Sequence, residues 1–376
     1  MKRELERVEI PYEHGARERA WNVLQAAFAD RLPVERTSRR LRPVLALAVV
    51  LAVVAAALSP PGRAVIDEIR EAVGIERAQP ALFSLPASGK LLVASDAGIW
   101  VVQEDGSRRL LGDYREATWS PFGRFVVAAR ENELAALEPD GDVRWTLARR
   151  DVRSPRWAGT ETDTRIAYLT TSRVHVVPGD GVGDVDAGGP AARVAAVWRP
   201  GPGFTLTYVN TGGRVSIYDV DSGIGPWTDA PGPGWSRRFR APRKLEWSSD
   251  GKRLLLLTRE ALVQFGPRSS TPLSVREERL VDAAFRPRSH ELAIIRTRQG
   301  VSELLVGKRV LFRGTGQFRD LAWSPDGRWL LVSWPTADQW VFVRATGGRR
   351  IRGVANVSEQ FRSRSFPRVE GWCCAP

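Results

Sequence analysis

From about residue 82 to the end, apolar residues come in short runs of four to six, and the runs come in pairs. The first members are KLLVA (from Lys90), RFVVAA (Arg124), RIAYL (Arg165), FTLTYV (Phe204), RLLLL (Arg253), ELAII (Glu291) and WLLVS (Trp329). Their partners are IWVV (Ile99), ELAAL (Glu133), RVHVV (Arg173), RVSIY (Arg214), ALVQF (Ala261), SELLV (Ser302) and QWVFV (Gln339). A nearly continuous apolar run of this length predicts a β-strand covered on both faces. Turn residues often close the second run: Asp105-Gly106, Asp140-Gly141, Asp180-Gly181, Ser222-Gly223 and Gly347-Gly348.

An aromatic anchor precedes most pairs. Its clearest copies are Trp119-Ser120-Pro121-Phe122-Gly123, Trp247-Ser248-Ser249-Asp250-Gly251 and Trp323-Ser324-Pro325-Asp326-Gly327, with weaker ones at Trp157, Trp198 and Phe285. Successive anchors are 38, 41, 49, 38 and 38 residues apart, a period that suits a four-stranded unit. A lone unit has bare apolar faces. Stacked radially, such units bury a shared core, and a closed ring leaves only short edges. The expectation is therefore an all-β, seven-bladed β-propeller over residues 81–376. Closure needs both chain ends in one blade, and two aromatic residues compete for its anchor strand, Phe83 and Trp372.

The stretch WSPDGRWLLVSWPTADQWVFVRATGG, Trp323 to Gly348, and the Trp247 copy through Phe265 resemble the repeat of the TolB-like, or WD-repeat-like, β-propeller family. That repeat runs anchor, Ser-Pro-Asp-Gly-Arg/Lys, apolar strand, then a strand ending near Asp-x-x-Gly. The resemblance covers roughly residues 82 to 374 and implies the fold. The Gly-His and Trp-Asp dipeptides of true WD repeats are missing, and propellers host many activities.

The first 80 residues read differently. Residues 1–42 are polar and charged, with one amphipathic helix expected from Ala16 to Arg31, on which Trp21, Leu24 and Phe28 are candidates for docking to a partner. Pro43 to Leu58 is free of charged and polar side chains. At 1.5 Å per residue it spans about 24 Å, close to a bilayer core once Ser59 to Gly62 are counted as interfacial. Arg36, Arg39, Arg40 and Arg42 flank it and place the N-terminus in the cytoplasm. The expectation is a single transmembrane helix over residues 43–61. A cleaved signal peptide and a buried core helix are the rival readings, the first opposed by the length of the preceding segment. Residues 62–80 are expected to form a juxtamembrane amphipathic helix, with Val65, Ile66, Ile69 and Val73 on one face.

Composition changes this picture little. The formal charge is +13, but only 5 of the 56 basic residues are lysine and the arginines are spread along the chain. That is a generic basic surface, with no clustered stripe for nucleic acid. The three histidines, His14, His175 and His290, are far apart, and the two cysteines are Cys373 and Cys374. Neither set has metal-ligand spacing, and no nucleophile elbow is present. Adjacent cysteines lie closer than the usual disulfide range, so they read as two small apolar residues in a final strand. Gly179 to Asp186 alternates Gly and Asp but lacks the ligand spacing of a calcium loop and reads as a turn. The longest insertion, between Trp198 and Trp247, offers Trp227, Trp235, Arg237, Arg238 and Arg240 as a candidate partner-binding set, since Trp and Arg dominate binding hot spots.

These residues lead to one expectation: a membrane-anchored, extracytoplasmic binding or sensory module that is not an enzyme and carries no cofactor or metal. Its partners would be a protein and, through one helix, membrane lipid. An envelope scaffold is the first alternative. A transmembrane regulator arranged like the anti-sigma proteins is the second, although residues 1–42 lack the zinc-binding His/Cys motif common in those.

Overall fold

The computed structural model describes residues 84–222, 238–266, 270–272, 279–348 and 350–374. They form seven antiparallel sheets, six of four strands and one of three. We number the sheets as blades 1 to 7 along the chain. Each of the fourteen expected runs falls on a strand, some starting one or two residues ahead of it, and the strands pair as sequence neighbours.

Blade 1 is composite. The last strand, Arg368–Cys373, lies beside Lys90–Ser95, with Leu91 opposite Trp372 and Lys90 opposite Cys373. Trp372 is therefore the anchor of the closing blade. The other inner strands are Glu116–Trp119, Arg153–Gly159, Val197–Trp198, Pro242–Trp247, Arg279–Phe285 and Arg319–Trp323 in blades 2 to 7. Each inner strand contacts the next, round to blade 1 and back to blade 2.

The core follows from strand geometry. Successive side chains point to opposite faces, so a strand in the middle of a blade feeds two neighbouring seams. In blade 1, Leu91 and Val93 pack toward blade 7, whereas Leu92 and Ala94 pack toward blade 2. Among the described residues there are seven apolar clusters, and each spans one seam of the ring. Middle strands such as Trp329–Trp334 are buried throughout, while the outer strand Val143–Ala148 alternates between exposed and half-buried. The anchors are buried or half-buried at these seams, as their spacing predicts.

Two sequence expectations need correction or limits. Cys373 and Cys374 are joined as a disulfide rather than sitting as separate small residues. Cys373 still packs beside the blade 1–2 core. Among the described residues no helix is long and apolar enough to cross a membrane. The apolar run Pro43 to Leu58, the expected helix bearing Trp21, Leu24 and Phe28, and residues 62–80 all lie outside the described residues.

Candidate functional site

The wide central channel, a cavity of about 670 Å³, is lined by inner strands and carries many charges. Most of them are already engaged. Lys244 Nζ lies 2.9 Å from Asp282 and 3.2 Å from Glu246. Burial opposes its charge, but the two carboxylates outweigh that and hold the ammonium above its ordinary pKa. A repeated device is visible. Glu246 accepts the Phe285 backbone N–H at 2.7 Å, Asp282 that of Leu321 at 3.0 Å and Asp320 that of Val369 at 3.3 Å. Glu116 accepts that of Ser154. At four of the seven seams, then, a carboxylate on one inner strand holds the backbone of the next. Arg368 serves the blade 1–2 seam by donating to the Arg115 carbonyl at 2.9 Å.

Asp320 and Glu370 are perturbed. Burial, reinforced by the charge of Asp282, raises Asp320 to about 6. Burial raises Glu370 to about 7 against the pull of Arg368 and Arg156. Both carboxyls bind protons more tightly folded than unfolded, so stability falls as pH rises from about 4 toward 7. Asp320→Asn keeps an acceptor for Val369. It is expected to raise stability at pH 8 by about 1–2 kcal/mol and to flatten the dependence between pH 5 and 8. Thermal melts across that range check this, and an unchanged slope would contradict it.

A different place exposes apolar surface. The Ser-x-Asp-Gly turns of blades 5 and 7 are closed by their aspartates: Asp250 accepts Ser248 Oγ and the Lys252 N–H, and Asp326 accepts Ser324 Oγ and the Arg328 N–H. The equivalent turn of blade 2 keeps the serine, whose Oγ accepts the Phe125 N–H at 3.0 Å. At the aspartate's position it carries Phe122, 49% exposed.

Phe122 borders two pockets. One, about 540 Å³, lies between blades 2 and 3. Its aromatic wall is Phe125 stacked on Trp157 at 6.2 Å, with the Arg144 guanidinium 5.7 Å over Phe125. Trp145 completes it, fixed by its indole N–H to the Gly179 carbonyl at 2.9 Å. Only glycine suits position 181, because a Cβ there would lie 2.6 Å from the Trp145 ring. Arg124, Glu161 and Asp180 also line this pocket. The second pocket, about 330 Å³, lies toward blade 1 and is lined by Trp119, Glu104 and the two cysteines. Val143, also on the groove, is 55% exposed, and Val182, two residues beyond Asp180, is 70% exposed.

Of the five sequence candidates, the two described ones, Arg238 and Arg240, fall elsewhere. Trp227, Trp235 and Arg237 lie outside the described residues. Arg238 and Arg240 are exposed, on either side of buried Phe239, whose N–H donates to Gly213 at 2.7 Å. Arg238 bridges to Arg214, so this end of the insertion runs as an outer edge of blade 4, away from Phe122. The Gly179–Asp186 segment is a turn and strand with occupied carboxylates. Asp180 accepts the Val182 N–H, Asp186 pairs with Arg173 at 2.6 Å, and Asp184 meets Arg149 at 2.8 Å and Tyr168 Oη at 2.7 Å. Burial pushes Asp184 up, but His175, whose Nδ1 lies 3.5 Å away, and the hydrogen bonds from Tyr168 and Arg149 prevail and lower it. His175 stacks on Tyr168 while Val174 and Val176 are buried, as the alternation predicts. Among the described residues no cluster of three or more His, Cys, Asp or Glu is arranged to hold a metal ion.

No protein-family model matches the chain. No curated protein sequence matches it either. Solved structures do. A chain of the mitotic checkpoint complex is similar at a TM-score of 0.52 and 15% identity, over 72% of this chain and 92% of that one. A protein from Bacteroides uniformis called a 6-phosphogluconolactonase is similar at a TM-score of 0.50 and 14% identity, over 71% and 97%. The C-terminal WD40 domain of Sif2 aligns at 0.49 and 15%, over 74% and 84%. At such identities the likeness concerns the fold.

Proposed function

We propose that this chain is a membrane-tethered, non-catalytic binding module whose propeller holds a protein partner on the face around Phe122. The carrying observation is the substitution of an exposed phenylalanine for the turn aspartate, at the meeting of two pockets. An exposed aromatic over a cleft is a typical anchor for a partner side chain. The cleft beside Trp157 has the volume of an ordinary binding pocket. Its rim carries both signs of charge, through Arg124, Arg144, Glu161 and Asp180. That mixture suits a polypeptide segment with one or two apolar side chains and charged neighbours. The similarity to a chain taken from a protein complex agrees with a protein partner. In the channel the charges are bound to one another and to inter-strand backbone, which suits a ring held in register.

We read the tether from Pro43 to Leu58 and its arginine flank, a pattern under which the N-terminus would lie in the cytoplasm and the propeller outside. Trp21, Leu24 and Phe28 would then offer a second, inner contact, by which binding outside is localised or signalled. The scaffold and anti-sigma-like readings differ from this one only in what that inner contact does.

The test is Phe122→Asp in the full chain. It restores the turn found in blades 5 and 7, so the melting temperature is expected to stay the same or rise. Capture of the partner in cells should fall at least tenfold, a loss of about 1.4 kcal/mol or more. Undiminished capture would remove Phe122 from the interface.

A further inference from the structure

The residues that follow an anchor cover the glycine turn of the next blade. After Trp198 come Arg199 and Pro200, and Arg199 Nε donates to the Gly251 carbonyl at 2.9 Å while its guanidinium lies 5.3 Å over Trp247. After Phe285 come Arg286 and Pro287, and Arg286 Nε donates to Gly327 at 2.9 Å over Trp323. After Trp372 come Cys373 and Cys374. Cys374 Sγ lies 2.8 Å from where a Cβ on Gly123 would stand, and 3.9 Å from the Pro121 carbonyl. The disulfide thus takes the place of the Arg-Pro plug, at the seam where the C-terminal strand closes the ring.

The arginine plugs are permanent, whereas a disulfide is reversible. Both cysteines are half-buried and line the pocket of about 330 Å³ beside Trp119 and Phe122, the side from which a thiolate would approach. Cys374 also holds a left-handed backbone, φ +59°, that a residue with a side chain rarely adopts. Opening the small ring formed with Cys373 would leave the residue free to return to negative φ and move off Gly123.

We propose that Cys373–Cys374 is a reversible thiol–disulfide site, taking a dithiol reductant, that latches the closing strand onto the Phe122–Gly123 turn. In the exchange, one thiolate of the reductant attacks a cysteine sulfur, the intramolecular S–S bond breaks and a mixed disulfide forms. The reductant's second thiol displaces the remaining cysteine. The reductant leaves as a disulfide, and the protein has gained two electrons and two protons as two thiols.

The experiment uses the purified full chain with dithiothreitol as the dithiol, then iodoacetamide, under native conditions. The expected result is two alkylated cysteines in a protein that keeps its β-sheet spectrum. Amide exchange at Phe122, Gly123 and Cys374 should be at least several-fold faster in the reduced form and return on reoxidation. Cys373→Ser/Cys374→Ser should match the reduced form and ignore dithiothreitol. Should that variant fail to fold, the wild-type comparison decides alone. The proposal is overturned if the cysteines react only after unfolding, or if reduced and oxidised proteins exchange at the same rate.

Discussion

Deleting residues 367–376 is expected to abolish the folded propeller. The lost strand, Arg368–Cys373, supplies the inner edge of blade 1. Without it, Leu91, Leu92 and Val93, none of which is exposed in the intact ring, lose one hydrogen-bonded neighbour and much of their cover. Trp372 packs edge-on to Phe342 of blade 7 at 5.7 Å, and that contact goes too. So do the Asp320–Val369 and Arg368–Arg115 hydrogen bonds that tie blade 1 to blades 7 and 2. One buried tryptophan alone contributes about 3–5 kcal/mol. With the strand's ladder and two seams added, the loss is comparable to the whole stability of a domain, about 5–15 kcal/mol. Circular dichroism and solubility of the truncated chain measure this. A peptide of residues 364–376 added in trans should restore part of the signal. A truncated chain that melts within a few degrees of the intact one would mean the ring closes some other way.

Trp323→Ala carries the next largest effect. Trp323 is 6% exposed and sits in the cluster shared by blades 6 and 7. Arg286 covers its ring at 5.8 Å, and its indole N–H points at the Ala284 carbonyl, 3.4 Å away. Truncation removes the ring and leaves a cavity that the flanking sheets cannot fill, because both are held by their own ladders. The expected cost is about 3–5 kcal/mol, read as a shift of the urea midpoint at unchanged slope. A cost below about 1 kcal/mol would place this tryptophan outside the core.

The fold was legible because its signal repeats. Paired apolar runs such as RLLLL and ALVQF reflect strands covered on both faces, and a ring of four-stranded units at this spacing buries them. The closing strand was half legible. Trp372 had the form of an anchor, but nothing local separated it from Phe83, since the choice is made by pairing with Lys90–Ser95 at the other end of the propeller. The channel charges were visible only as scattered residues. Lys244, Asp282 and Asp320 are tens of residues apart and meet because inner strands crowd around one axis. Residue type favoured Trp227 and Trp235, which lie outside the described residues; among the described residues the exposed aromatic is Phe122. Its signal was in the sequence: the blade 2 turn reads Ser-Pro-Phe-Gly where blade 7 reads Ser-Pro-Asp-Gly. The cysteines were misread because spacing argued against a bond, whereas their position over Gly123 depends on the neighbouring blade.

The central claim is that the face around Phe122 holds a protein partner. Its most direct measurement is photocrosslinking in cells that make the full chain, with a photoreactive phenylalanine analogue at position 122 or, as the control, at position 326. Both positions occupy the same place in equivalent turns, so they share geometry and differ in surroundings. The account predicts one discrete adduct from position 122, lost when Trp157 or Arg144 is replaced, and none from position 326. No adduct at 122, or the same adducts at both positions, would contradict it.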